Sequence, residues 1–251
     1  NPSSVHTVGI HARSVLDESR RRVARALGIR REEEGRVIFT SSGTEADQLA
    51  IMGSVYAKRR PEKNGSRGKI LTTDSEHPAV EECMKRLEAD GFDVVRLPVD
   101  TAGRISEEAI FEAVNEKTIL VSLMLVNNEV GSIMPVKAAA KALKRAGAPG
   151  YLHVDAVQGF GKIPVGPKAL GADLISVSSH KVHGPKGVGA LFVKKGTRLV
   201  SPVLGGGQED KVRPGTEGTP AIAGFAAAVD KSILHGDLSA YIAHVTGLRD
   251  I

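Results

Sequence analysis

The sequence predicts an α/β fold, a mostly parallel sheet flanked by helices. Three observations predict it. Helical and strand periodicities alternate almost throughout the chain. A continuous apolar run, Thr118–Val126 (TILVSLMLV), has the pattern of a strand buried on both faces. Polar segments follow the strand-like runs, where ligands bind in open sheets of this class.

Taken in order, residues 12–27 space Val15, Leu16, Val23, Ala24 and Leu27 among arginine and glutamate, an amphipathic helix ended by Gly28. Arg36–Thr40 is a short β-rich run, and Thr44–Lys58 returns to helical spacing through Ala46, Leu49, Ala50, Met52 and Val55. Lys69–Thr73 predicts a strand. Pro78–Asp90 predicts a helix with proline in its first turn, and Asp93–Leu97 another strand. A helix over Ser106–Val114 precedes the apolar strand, and one over Val136–Ala146 follows it. Short strands are expected at Tyr151–Val154, Leu174–Val177 and Val188–Val193. Arg59–Arg67 reads as an exposed loop, and the chain stops inside a segment of helical character. One domain is the simplest count.

Composition narrows the classes. The chain has 251 residues, 41% hydrophobic and 25% charged, enough for one well-filled core. A soluble protein is expected, since no apolar run approaches the ~18 residues of a membrane span and no secretory signal is present. A single cysteine, Cys83, permits no intrachain disulfide and fits a reducing, cytoplasmic setting. Cys83 shares a helical stripe with Val80 and Leu87 and reads as a packed apolar residue. The net charge of +5 is scattered and aromatic content is 4%, so no nucleic-acid partner is expected.

Five strand ends then deliver polar residues toward one crevice. Ser41–Glu45, just ahead of a helix, suits an anion through its small residues and the helix N-terminus, and equally suits plain N-capping. His77 opens a helix, where it could stack on a heteroaromatic ring, carry a proton or be structural. Asn127–Glu129 follows the apolar strand. Asp155 follows an apolar strand directly and should be buried with a cationic or hydrogen-bonded partner, or serve as a cap; Gln158 leaves the same turn. Ser178, His180 and Lys181 share the fifth loop. A lysine held in a crevice is a candidate Schiff-base former, although most lysines are solvated. His180 and His183 lack a third ligand nearby, so no metal is expected.

Nine segments together resemble one family. They are residues 1–6 (NPSSVH), 42–45 (SGTE), 76–77 (EH), 127–131 (NNEVG), 153–158 (HVDAVQ), 179–181 (SHK), 184–191 (GPKGVGAL), 205–209 (GGGQE) and 213–216 (RPGT). The order is similar to that of the cysteine desulfurases and selenocysteine lyases, pyridoxal-phosphate enzymes of the class V aminotransferase group. The resemblance implies the large cofactor-binding domain of the aspartate-aminotransferase-like fold (fold type I). It implies that Lys181 forms the Schiff base and later shuttles the substrate Cα proton, and that His77 stacks on the ring and assists. Asp155 would pair with the ring nitrogen and Gln158 with the phenolic oxygen. Gly43, Thr44, Ser178 and His180 would hold the phosphate, and Asn128 the cofactor or substrate carboxylate. Thr216 would reach the neighbouring subunit's phosphate, so a homodimer is implied.

The implied reaction takes sulfur from L-cysteine to leave alanine and an enzyme persulfide, for a sulfur-acceptor or scaffold protein in iron–sulfur cluster or thio-cofactor synthesis. Selenocysteine lyase, or a non-catalytic scaffold, is the alternative. The family's nucleophilic cysteine lies C-terminal to Gly205–Glu209, where this chain has none. The expectation is therefore a large domain over 1–251 without its N-terminal strand or the small domain with the cysteine loop, binding cofactor at most partially and not turning over.

Overall fold

The computed structural model describes residues 1–58 and 67–250, so the loop expected over Arg59–Arg67 falls, but for its last residue, outside the described residues. Seven strands form one sheet: β1 (Gly35–Thr40), β2 (Lys69–Thr73), β3 (Asp93–Leu97), β4 (Thr118–Met124), β5 (Tyr151–Asp155), β6 (Leu174–Ser178) and β7 (Gly189–Lys194). Their order is β1-β7-β6-β5-β4-β2-β3. β2 to β6 pair in parallel, while β7 runs antiparallel to both β1 and β6. β1 therefore points the same way as the parallel block. The reversed strand has a local cause. The link from Ser178 to Gly189 holds only a 3-10 turn at Ser179–Val182, too short for the helical crossover that a parallel return needs.

The helices are α1 (Thr7–Ala26), α2 (Gly43–Lys58), α3 (Pro78–Ala89), α4 (Glu107–Ala113), α5 (Val136–Arg145), a four-residue α6 (Pro167–Leu170), α7 (Thr219–Val229) and α8 (Leu238–Arg249). α1 begins ahead of the expected residue 12 because His6 caps it, its Nδ1 accepting from Gly9 N at 3.2 Å. The apolar run ends as a strand at Met124; Leu125 N still donates to Asp155 O of β5 at 2.8 Å, while Leu125 O accepts from Met134 N at 3.0 Å. α8 lies where helical character was expected; α7 was not anticipated. No helix among the described residues is long and apolar enough to cross a membrane.

Strand alternation sorts the core onto two faces. Val37, Phe39, Leu71, Val121, Leu123, Leu152, Val154, Ile175, Val177 and Phe192 pack with α1, α5 and α7. Ile38, Ile70, Leu120, Leu174 and Leu191 face α2 and α3. Residues in step with the second set include Ser122, Met124, His153, Asp155, Ser176 and Ser178, so polar groups line the face that α2 covers. Helices thus cover both faces, as the alternating pattern predicts.

Candidate active site at the carboxyl edge of the sheet

The loops after β1, β2, β4, β5 and β6 meet at one edge, and their hydrogen bonds and close approaches fix how. Ser42 caps α2, its Oγ accepting from Glu45 N at 3.1 Å, while the Glu45 carboxylate accepts from Ser41 N. This departs from the reciprocal serine–glutamate capping box in that the glutamate reaches the residue before the cap. The N-terminus of α2 nevertheless stays open beyond Ser42, with Thr44 exposed. Gly43 is needed there because of its surroundings. A Cβ on it would stand 2.8 Å from Val157 Cγ2 and 3.3 Å from Ser178 Cβ, so the loops after β1, β5 and β6 touch at this residue.

Ser178 Oγ shares a hydrogen bond of 2.8 Å with His180 Nδ1, so two residues expected on one phosphate are already joined. His180 is exposed; partial burial, then the charges of Lys181, Lys186 and Lys162, hold its imidazole below the usual range. Lys181 lies half-buried in the 3-10 turn, with His183 behind it in the left-handed region (φ 66°). Lys162 was not singled out from the sequence. Its ammonium donates to Gln158 O at 3.0 Å and to Gln158 Oε1 at 3.3 Å, and burial together with the nearby Lys181 charge lowers its pKa. With Oε1 so engaged, the amide nitrogen of Gln158 is left to donate elsewhere.

His77 caps α3, Nδ1 accepting from Ala79 N at 3.1 Å, so its neutral ring carries the proton on Nε2. Asn128 is exposed, whereas the buried Asn127 organises the loop. Its Nδ2 donates to Ser75 O at 3.2 Å, and its Oδ1 accepts from Glu129 N and Val130 N. The asparagine pair thus divides into one that builds and one that is presented. Thr216 lies apart, exposed beside a cavity of about 220 Å³ lined also by Ser41, Arg213 and Glu217. Arg213 Nε pairs with Glu45 Oε1 at 3.0 Å and pins this segment to the start of α2.

Asp155 is 6% exposed. Its Oδ1 accepts from Val157 N at 2.9 Å, and among the described residues no lysine or arginine pairs with it. Burial, reinforced by Asp47, pushes its carboxyl up to about 7. Glu76 accepts from Thr73 Oγ1 at 2.8 Å and Met124 N at 3.0 Å, leaves Oε2 enclosed without a partner, and is raised by burial to about 8. Asp47 and His153 also lie here and had no assigned role. Asp47 reads in sequence as one more polar residue of a helix, and only the burial of α2 on nearly every side marks it.

These residues fit pyridoxal phosphate. An enclosed carboxylate without a cation suits a protonated ring nitrogen. A helix N-terminus with a glycine that admits no Cβ, next to Ser178 and His180, suits a phosphate. A half-buried lysine on the same loop suits the aldehyde.

Comparison with known proteins agrees. The family model "Aminotransferase class-V" matches residues 1–249. The chain is 44% identical to the putative cysteine desulfurase IscS 1 of Bacillus subtilis over 92% of this chain and 59% of that protein. It is 41% identical to the cysteine desulfurase IscS of Dictyoglomus turgidum over 100% of this chain and 60% of that one. The chain therefore spans about three fifths of the length of these curated relatives. Among solved structures, a NifS-like protein superposes with a TM-score of 0.91 at 38% identity, covering 100% of this chain and 66% of the other. DndA from Streptomyces lividans does so with a TM-score of 0.81 at 39% identity, covering 97% and 66%. By its sheet, by the residues at its carboxyl edge and by these likenesses, the chain belongs to the class-V aminotransferase family, which uses pyridoxal 5'-phosphate.

Proposed function

We propose that this chain is the cofactor-binding part of a pyridoxal-phosphate-dependent cysteine desulfurase that converts L-cysteine to alanine and passes the sulfur on as a persulfide. The observation that carries the reading is the contact of Gly43 with Val157 and Ser178, which brings the α2 N-terminus, the Asp155 turn and the Lys181 turn around one space. The likeness to cysteine desulfurases supports the choice of substrate.

Pyridoxal phosphate, when bound, supplies an electron sink for a carbanion at the substrate Cα. The chain's own residues do the rest. Lys181 would hold the cofactor, and its amine would move the substrate Cα proton. Asp155 keeps the proton on the ring nitrogen, and Gln158 donates its amide nitrogen to the phenolic oxygen. His77 would lie against the ring, with its Nε2–H available for proton transfer. Thr44 and the Ser178–His180 pair donate to the phosphate, and Asn128 to the cofactor or the substrate carboxylate. Thr216 reaches into a second copy, making the working unit a homodimer. The sulfur is taken by a thiolate other than Cys83, whose thiol is pushed up to about 12 by burial and the charge of Asp47. An acceptor protein for iron–sulfur or thio-cofactor synthesis receives it, in the cytoplasm.

The test is reduction of the cofactor-treated chain with borohydride, followed by peptide mass spectrometry. The cofactor mass should appear on Lys181 and vanish in Lys181→Ala. Absence of any modification at Lys181 overturns the reading. Alanine release from L-cysteine, assayed with the gene's complete product, tests the substrate.

A further inference from the structure

Below Asp155, on the face that α2 covers, four side chains form a closed polar chain. Ser122 Oγ lies 2.9 Å from His153 Nδ1, and His153 Nε2 lies 3.0 Å from Ser176 Oγ. Asp47 Oδ1 lies 3.5 Å from the same Nε2, enclosed without a hydrogen-bond partner, and the nearby Ser176 hydroxyl is the group that favours the Asp47 charge. Ser122, His153 and Ser176 are 0% exposed and Asp47 is 2% exposed, so water does not supply partners and Asp47 Oδ1 is left without one.

Counting protons leaves one ordering when Asp47 is ionised. Burial holds His153 neutral, with its pKa lowered to about 4, so one ring nitrogen donates and the other accepts. Asp47 can only accept, so Ser176 gives it the hydroxyl proton. His153 Nε2–H then donates to Ser176, and Ser122 donates to Nδ1. The chain is anchored on three strands and a helix, and it ends on a carboxylate that no cation neutralises among the described residues. Ser176 is the register partner of Asp155 across β5 and β6, so that carboxylate sits one hydroxyl away from the strand position of Asp155. The titratable groups facing Asp47 are His153 and Asp155 on β5, Cys83 on α3, and Glu76 on the loop before α3. None of them brings a positive charge at neutral pH.

We propose that Asp47 is a positioning residue. Held by the Ser176–His153–Ser122 chain, it is a second carboxylate that touches no cofactor atom and strengthens the hold of Asp155 on the proton of the cofactor's ring nitrogen. The proposal rests on the cofactor reading above and deepens it. Its physical content is Coulombic: where both carboxylates are ionised, two negative charges hold a proton on an adjacent base to higher pH than one does.

The test uses the full chain loaded with pyridoxal phosphate labelled with ¹⁵N in the ring, titrated by NMR. In Asp47→Asn, which keeps the shape and removes the charge, the ring nitrogen should lose its proton about one pH unit lower than in the unaltered chain. Ser122→Ala disturbs the far end of the chain but leaves Asp47 and Ser176 in place, so it should keep the unaltered midpoint. An unchanged midpoint in Asp47→Asn overturns the proposal, and so does an equal fall in Ser122→Ala, which would assign the effect to packing. Should Asp47→Asn fail to fold, the unaltered loaded chain still decides. With ¹³C-labelled aspartate carboxyls, both Asp47 and Asp155 must be ionised above neutral pH, and a protonated Asp47 there overturns the proposal. Failure of the unaltered chain to bind the labelled cofactor sinks the cofactor reading itself, a separate and visible outcome.

Discussion

Arg20 on α1 grips Glu209 through both carboxylate oxygens, at 2.5 and 2.7 Å, across 189 residues of sequence. The Glu209 side chain is 1% exposed and accepts also from Phe39 N at 3.0 Å. Arg20 gives a further bond to Val37 O at 2.7 Å and lies over the Phe39 ring. One guanidinium thus joins α1, β1 and the segment that leads to Thr216. Removing it strands a buried carboxylate. Arg20→Met should lower unfolding stability by about 3 kcal/mol, read from urea denaturation. A loss within experimental error would show that the pair only offsets its own desolvation.

Gly43→Ala should weaken cofactor binding about tenfold, roughly 1.4 kcal/mol. The added methyl would meet Val157 Cγ2 at 2.8 Å and force the turn that carries Asp155 away from α2. The companion change Val157→Ala removes that neighbour, so the double variant should regain most of the affinity in a fluorescence titration. No recovery would mean that Ser178 or the backbone, rather than Val157, sets the limit.

Stability of the cofactor-free chain should fall as pH rises from about 5 to about 8. Asp47 and Asp155 are raised to about 7 and Glu76 to about 8, in each case chiefly by burial. The folded state therefore keeps protons that the unfolded chain sheds near pH 4, and the stabilisation they bring is lost as pH climbs through the folded values. His153 works in the opposite sense. With its pKa lowered to about 4 it favours the folded state above about 6.5, and loses that contribution as pH falls toward 4. Three groups outweigh one. Thermal melts across this range should show a declining Tm, and saturating pyridoxal phosphate should flatten the decline. A Tm that rises with pH would contradict the enclosure of these carboxyls.

Cys83 should resist a thiol reagent such as Ellman's in the folded chain at pH 8 and react fully after unfolding. It is 7% exposed, its Sγ donates to Ala79 O at 3.2 Å, and its thiol is pushed up to about 12. Rapid labelling of the native chain would reopen its exclusion as a sulfur acceptor.

The elements of the sheet were legible because burial on two faces leaves a local trace. Val37, Phe39 and Ile38 alternate between the two cores, and β4 is apolar on both sides. The loop residues Gly43, Asp155, Ser178 and Lys181 were legible because small, polar or basic residues directly after apolar runs are unusual, and because nine segments in order resemble one family. The direction of β7 was not read, although its short link to β6 carried the signal. Asn127 and Lys162 were passed over for another reason. Their importance lies in what they hold, Ser75 O and Gln158, and a pattern of residue types does not record partners.

The sequence by itself determined the alternation of strands and helices, the loops that carry the chemistry, and the burial of Cys83 and Asp155, because each depends on residues within one turn or one strand. Only the tertiary structure decided that Asp47, on a helix, and His153, on a strand 106 residues later, share one dry space with Ser122 and Ser176. The charge and tautomer of a buried group depend on the atoms packed around it from every side, and those come from elements far apart in the chain.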